Sequence, residues 1–547
     1  MRYLLPAVIT VLLFSCNSEV PETMMVKQPE DVQKSVSNLL SKYLESTDTN
    51  SRIVLAGDTL FATPALAYFF KRKNYEPVFS AGGRFNGKFY MMRRVVRDAR
   101  EFGLLPSHYH WQKLDSFSRT VYDVKEGTYD AVKLADIELF LADAFCVMAH
   151  HLYHGRLDPD SLRPFWKRVI PDSLMVHKLD SALNTGHVSS TLTTFEPKFR
   201  QYVDLKASYK AYRKKMQDVK WTDMPDIKAD TAKYMSLVKV RMIEMGYYDS
   251  TKKGNDSVLL SKALRKFQKE YHLTEDGKVG KEMVKALAYN VEDRYRQIEM
   301  NLERWRTEKR KNDKVYVWVN LAGFKLTVAE KDTIAVESRI ICGDPKHPSP
   351  TPLKSIIMYF TIYPYWNVPY SIASKEILPR IKWDTAYIRK QRFEVIDWKG
   401  NIVDHRKINW KKYGEKTLPY KFRQREGEEN SLGVVKFFFN NKAGVYLHDT
   451  NAKKLFKREV RCLSHGCMRL EEYMAFAEFL VRDDSVKIPK DTLHAWFGRP
   501  EQRIVNLKKP VPLYIKYYTN EVLFRDQLQF YPDMYGHDEK MVKALAY

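Results

Sequence analysis

The sequence predicts a multidomain α+β protein: a helical N-terminal half, a small unit of three short helices, and a β-rich C-terminal half with a long insertion. Three observations predict it. At 547 residues the chain exceeds what one hydrophobic core supports, so about three domains are expected. From Val36 apolar residues recur at helical spacing, first as Leu39, Leu40, Tyr43 and Leu44. From residue 313 the period becomes two, with Val315, Val317, Val319 and Leu321 alternating with Tyr316, Trp318 and Asn320. An apolar content of 44% with 13% aromatics excludes a disordered chain.

The chain opens on Met1-Arg2-Tyr3 and an apolar run from Leu4 to Phe14, too short to span a bilayer and readable as an export signal. Leu13-Phe14-Ser15-Cys16 resembles a bacterial lipobox, which implies a lipoprotein-type signal over 1–16 with Cys16 lipidated. An ordinary cleaved signal with an incidental cysteine is the alternative. Residues 17–35 are polar, carry Pro21 and Pro29, and read as a tether. The formal charge of +24 invites a nucleic-acid reading, but no helix-turn-helix, zinc-finger or RNA-binding motif accompanies it. Attraction to an anionic envelope surface, or a merely solvated basic face, accounts for it without nucleic acid.

Residues 36–230 read as a helical domain whose longest helix runs through 130–155 and stops at Gly155 and Pro159. His150, His151 and His154 gather at its end; with no carboxylate motif nearby, a structural role is expected over a metal site. Residues 231–290 read as three short helices with Gly-marked turns, and 291–312 as a charged connecting helix. Strands follow over 313–363. Residues 375–432 are basic, aromatic and broken by Gly400, Gly414, Pro419 and Gly427, an insertion of the length that usually carries function. Gly433 to Phe439 and Val445 to His448 are strands around an Asn440–Gly444 turn, and a helix is expected over 471–481.

The chemistry concentrates between Tyr446 and Leu470. Cys467 stands between Gly466 and Met468, two residues after His465, with His448 nineteen residues upstream. A thiolate is the reactive form of cysteine, and a neighbouring imidazole makes it accessible near neutral pH. Gly466 lets a substrate carbonyl approach closely and leaves backbone N–H groups for an oxyanion. Arg469 offers a fixed charge for a carboxylate. Cys146, Cys342, Cys462 and Cys467 are too scattered for a disulfide framework. Cys462 could join Cys467, His448 and His465 in a zinc site, or pair with Cys467 as a disulfide, and both readings stay open here.

His448, fifteen residues, then Ser464-His465-Gly466-Cys467-Met468-Arg469 resembles the signature of the YkuD-type L,D-transpeptidase catalytic domain, a cysteine acyltransferase of peptidoglycan. Gly155 to Pro159 and Tyr365 to Pro369 resemble the large YcbB-like subclass, and Ala263–Gln268 with the Asp276–Gly280 turn resembles a peptidoglycan-binding type 1 domain. The resemblance implies a helical scaffold domain (36–230), a peptidoglycan-binding-like domain (231–290) and a β-rich catalytic domain (313–547). The last would carry a lid at about 375–432 and a C-terminal extension at 500–547. It further implies Cys467 as nucleophile and His448 as base. Gly466 and Cys467 N–H, helped by Tyr446, would hold the oxyanion, Arg469 a stem carboxylate, and Ser464 and His465 would shape the loop and orient His448. The implied setting is a lipid-anchored periplasmic enzyme acting on tetrapeptide donors and diamino-acid acceptors, without metal or cofactor, and open to carbapenem acylation. Carboxypeptidase or endopeptidase activity, or a non-catalytic wall-binding role, are the alternatives.

Overall fold

The computed structural model describes residues 22–45, 52–251, 253–308, 313–331, 333–522 and 527–545. The signal and lipidation readings at 1–16 lie outside the described residues. Two compact units emerge: the chain up to Asp158 with Pro164–Lys198, and Pro159–Arg163 with Phe199 onward.

In the first unit, helices α1 (Pro29–Glu45), α2 (Thr63–Lys71), α3 (Gly87–Arg97), α4 (Trp111–Thr120), α6 (Asp172–Thr185) and α7 (Val188–Thr193) pack around α5 (Ala131–His154). Helix α5 is apolar on every side, so only the middle of a domain can accommodate it. The Asp130 carboxylate caps its first turn, accepting from Val132 N at 3.1 Å. Its buried acids are compensated by loops that fold over them. Glu138 accepts from Val78 N at 2.7 Å and Ser80 Oγ at 2.8 Å. Asp143 accepts from Ala62 N at 2.8 Å and lies 3.0 Å from His110 Nε2, whose Nδ1 is 3.0 Å from Asp58. The three histidines at the helix end go to separate partners. His151 meets the Tyr109 hydroxyl at 2.9 Å, His154 the Lys167 carbonyl at 2.8 Å, and His150 packs edge-on against Trp166.

The second unit opens with α8 (Arg200–Met216), and the expected domain border at 230 therefore falls inside it. Tyr202, Tyr209 and Tyr212 share a core with α9 (Thr231–Glu244), α10 (Asp256–Glu270), α11 (Lys281–Leu287) and α12 (Val291–Arg306). In the small three-helix part, the Gln268 side chain clasps the turn, donating to Asp276 at 2.8 Å and accepting from Gly277 N at 2.8 Å. Helix α12 differs from the charged connector that its composition predicts: Glu299, Asn301 and Glu303 are buried. The reason is pairing. Asn301 accepts from Thr519 N at 2.9 Å and donates to Thr519 Oγ1 at 2.7 Å, and Trp305 stacks on Trp318 at 5.5 Å.

The C-terminal sheet comprises β1 (Val315–Asn320), β2 (Lys325–Glu330), β3 (Thr333–Gly343), β4 (Leu353–Ile362), β5 (Val435–Phe439), β6 (Leu447–His448), β7 (Cys462–Ser464), β8 (Met468–Leu470) and β9 (Arg503–Lys516). Their spatial order is β7-β3-β8-β6-β5-β4-β9-β1-β2, and a further β2–β3 pairing closes the sheet on itself. Strand β9 lies between β4 and β1, with Leu353 opposite Ile515 and Leu513 opposite Val317. What reads as an appended extension is thus a central strand, its inward residues Val505, Leu507, Val511 and Leu513 all buried.

The insertion begins earlier than composition suggests, at Trp366. Strands Trp366–Asn367, Lys421–Gln424 and Phe393–Ile396 form its own small sheet, over a core that includes Ile381, Ile388, Trp410 and Phe422.

Burial opposes the charge on His110, but its hydrogen bonds to Asp143 and Asp58 outweigh burial and push its pKa up to about 9. A raised folded pKa stabilises fully below the unfolded value of 6.5 and ceases to do so as pH rises through 9. The shift corresponds to on the order of 3 kcal/mol. His110→Gln should therefore lower the melting temperature most at pH 6 and progressively less toward pH 10, measured as the difference from wild type in thermal melts.

Candidate active site

Strand β6 lies between β5 and β8, and its register makes His448 the direct neighbour of Lys436 on one side and Arg469 on the other. Side chains at paired positions share a face of the sheet, and alternate positions share it too. The intervening residues Phe437, Leu447 and Met468 are buried in the domain core. The opposite face gathers Lys436, Tyr446, His448, Cys467 and Arg469. The Tyr446 and His448 rings are 5.5 Å apart, and Lys436 Nζ sits 3.7 Å over the Tyr446 ring and 4.2 Å over Phe438.

This face is half-buried and cationic. Cys467 is a partly buried free thiol; burial raises its pKa, while hydrogen bonding from the Tyr446 backbone and hydroxyl, then the charges of Lys436 and Arg469, lower it. His448 is buried, and burial together with the Arg469 and Lys436 charges brings its pKa down to about 3. Among the described residues its Nδ1 has no geometrically sound hydrogen-bond partner, while the Asp449 and Leu432 backbone act on the ring to raise its pKa. Burial and the two charges favour the neutral imidazole. Burial depresses Arg469 as well, and its Nε is buried without a partner. Burial lowers Lys436 to about 8. No motif marks Lys436 in the sequence; the signal that could have found it is its register opposite His448, a basic residue inside Val434–Phe439, an otherwise apolar run.

The Cys467 loop differs in detail from expectation. Ser464 Oγ donates to the Cys467 carbonyl at 2.5 Å and accepts from Gly466 N at 3.2 Å, so that N–H is already engaged. Among the described residues, Cys467 N–H has no backbone acceptor, while the Tyr446 hydroxyl is engaged with the Cys467 sulfur. Gly466 holds φ +110, a backbone conformation that side chains resist. His465 does not orient His448: it is turned outward, with Nε2 2.7 Å from Glu376 of the insertion. Nor does a helix N-terminus face the thiol, because β8 intervenes and the helix begins only at Tyr473. The insertion also reaches the site through Trp366, which hydrogen-bonds Tyr446.

Cys462 faces away from Cys467. Parallel pairing sets it opposite Cys342, with sulfurs 3.6 Å apart, so neither the Cys462–Cys467 disulfide nor the four-residue zinc site matches the geometry. Among the described residues no group of three His, Cys, Asp or Glu could hold a metal ion. Asp449 points off the His448 face, as alternation requires. Its carboxylate accepts from Val434 N at 3.0 Å and pairs with Lys453.

The chain is a multidomain α+β protein, with a helical first unit and a second unit that holds a three-helix module and a closed β-sheet. Residues 314–488 match the "L,D-transpeptidase catalytic domain", 234–287 the "Putative peptidoglycan binding domain" and 64–208 the "Scaffold domain". The chain thus carries a YkuD L,D-transpeptidase catalytic domain, a peptidoglycan-binding type 1 domain and a scaffold domain. It is similar to "Putative L,D-transpeptidase" of Haemophilus influenzae, 29% identical over 226 residues. That match covers 41% of this chain and 45% of the relative, so it spans less than half the relative's length. An L,D-transpeptidase (Yku) from Stackebrandtia nassauensis aligns at 14% identity over 55% of this chain and 94% of its own, with a TM-score of 0.21. The Ldtfm–avibactam carbamoyl enzyme aligns at 13% identity over 37% and 49%, with a TM-score of 0.17.

Gly433 adopts φ +62, and a Cβ there would lie 2.2 Å from the Asp449 carboxylate. Gly433→Ala should cost on the order of 2 kcal/mol, read as a lower midpoint in chemical denaturation. Because Asp449 adjoins His448, the same variant should slow any reaction that needs the Cys467–His448 pair.

Proposed function

We propose that this protein is a peptidoglycan L,D-transpeptidase working through a cysteine acyl-enzyme. The observation that carries the proposal is the nucleophile's setting: Cys467 shares one half-buried face with a neutral His448, the Tyr446 hydroxyl and two cations. A neutral imidazole beside a thiol is the pair that acyl transfer requires. In the first step the Cys467 sulfur attacks the carbonyl of the third residue of a tetrapeptide stem. The scissile C–N bond breaks, and the proton taken from the thiol passes through His448 to the departing D-alanine amine. In the second step a side-chain amine on the third residue of a neighbouring stem attacks the thioester, releases the thiol and leaves a cross-link. The Arg469 guanidinium, whose Nε has no partner among the described residues, suits a stem carboxylate.

An export signal and a lipidated Cys16 would hold the enzyme at the periplasmic face of the envelope, where its formal +24 charge favours anionic surfaces. A β-lactam presents a strained amide to the same thiolate, so carbapenems are expected to acylate Cys467.

The test is mass spectrometry of protein 17–547 with disaccharide-tetrapeptide muropeptides under reducing conditions. Dimers lacking one D-alanine are expected. Tripeptide monomers alone would make the enzyme a carboxypeptidase, and cleavage of added dimers an endopeptidase. No conversion, with binding retained, would leave a wall-binding protein. Cys467→Ala should abolish turnover and the carbapenem adduct without loss of fold. His448→Ala should lose on the order of 10²–10⁴ in rate.

A further inference from the structure

Two groups on the reactive face have no assigned partner: the Lys436 ammonium and the Arg469 Nε. Among the described residues Lys436 forms no ion pair with a carboxylate. Its Nζ instead lies over the Tyr446 and Phe438 rings, 3.7 and 4.2 Å from their centres. Burying an ammonium without a counter-ion is costly, and lysine stems ordinarily reach solvent to avoid it. Here the aromatic faces repay part of the cost and hold the side chain over the sheet. Among the described residues, the acidic function whose charge acts on it is the Cys467 thiol.

His448 is poorly placed to be the charge partner of a resting thiolate. It lies directly between Lys436 and Arg469 in the sheet, so protonating it would place three positive charges in one row. The groups facing the thiol are Lys436 on β5, Tyr446 and His448 on β6, and Arg469 on β8. From the insertion, Trp366 reaches only Tyr446, and Glu376 is occupied by His465. Asp449, the nearest carboxylate along the chain, lies off this face with Lys453.

We propose that Lys436 is the positioning residue that supplies the counter-charge for the Cys467 thiolate, leaving His448 to take up the thiol proton and pass it on. The S–H bond breaks with its electron pair left on sulfur beside the ammonium, and the proton passes to the imidazole, which gives it up to the leaving amine. This deepens the cysteine acyl-transfer reading and rests on it for its purpose, but thiolate formation is measurable without any peptidoglycan.

The experiment is the rate of Cys467 alkylation by iodoacetamide as a function of pH, in the full chain with Cys342 and Cys462 protected by burial and Cys467→Ala as the blank. Lys436→Gln and Lys436→Met should raise the midpoint by about one pH unit, a roughly tenfold slower reaction at pH 7. Lys436→Arg should keep the midpoint near wild type. Two neutral variants guard against loss of fold in either, which circular dichroism and thermal melting monitor. An unmoved midpoint in the folded neutral variants overturns the proposal. A midpoint that moves as far in Lys436→Arg as in Lys436→Gln also overturns it, because shape rather than charge would then be responsible. A shifted midpoint in a protein that converts no muropeptide would uphold the lysine's role while refuting the transpeptidase reading.

Discussion

The pairing of β6 between β5 and β8 is the constraint from which the site follows. Only two residues of β6 are in the ladder, yet they bring Lys436, His448 and Arg469, which are far apart in sequence, into one lateral row. A one-residue slip would turn His448 into the core and expose Leu447, which is wholly buried among Phe437 and Met468. Register is therefore held by burial on the other face. The hydrophobic core and the reactive face are two sides of the same alternation, and neither can shift without the other.

The loop from β7 to β8 adds the thiol to that row. Ser464 fastens the loop to itself through Gly466 N and the Cys467 carbonyl, and Ser349 Oγ donates to the Gly466 carbonyl at 2.7 Å. The insertion grips the same region from outside, through His465 and through Tyr446. His465 thereby belongs to the contact between loop and insertion, and a movement of the insertion would be felt at the residue two before the nucleophile.

How much of this was legible in the sequence depends on whether a group's partner is near it along the chain. Cys467, His448 and Arg469 stand in one local pattern, and the helical and alternating periods announce the fold class. Lys436 is invisible to such reading because its meaning comes from a cross-strand partner. Helix α12 misleads for the same reason: its charges look solvated until Thr519 and Asp538 come back from the far end of the chain, Asp538 meeting Arg304 at 2.6 Å. Strand β9 alternates visibly, but Lys508-Lys509-Pro510 interrupts it, and the register shift in its pairing with β4 absorbs that interruption. The outward turn of His465 depends on Glu376, nearly ninety positions away, in a segment whose composition says only that it is an insertion.

On the proposed acyl-transfer reading, the distribution of charge on the reactive face would let one imidazole serve both halves of the reaction. While sulfur carries a negative charge, it offsets the cations on either side of His448, and the ring can hold the thiol's proton. When attack on a carbonyl converts the thiolate to a thioester, that negative charge leaves the sulfur. Lys436 and Arg469 then act on the imidazolium unopposed, and its affinity for the proton falls at the moment when the departing amine needs one. Regeneration runs the sequence backward: as the thioester breaks, the returning thiolate again makes the face tolerant of a protonated ring. On that reading, the two cations respond to the charge on sulfur and would couple the state of Cys467 to the direction in which His448 moves its proton.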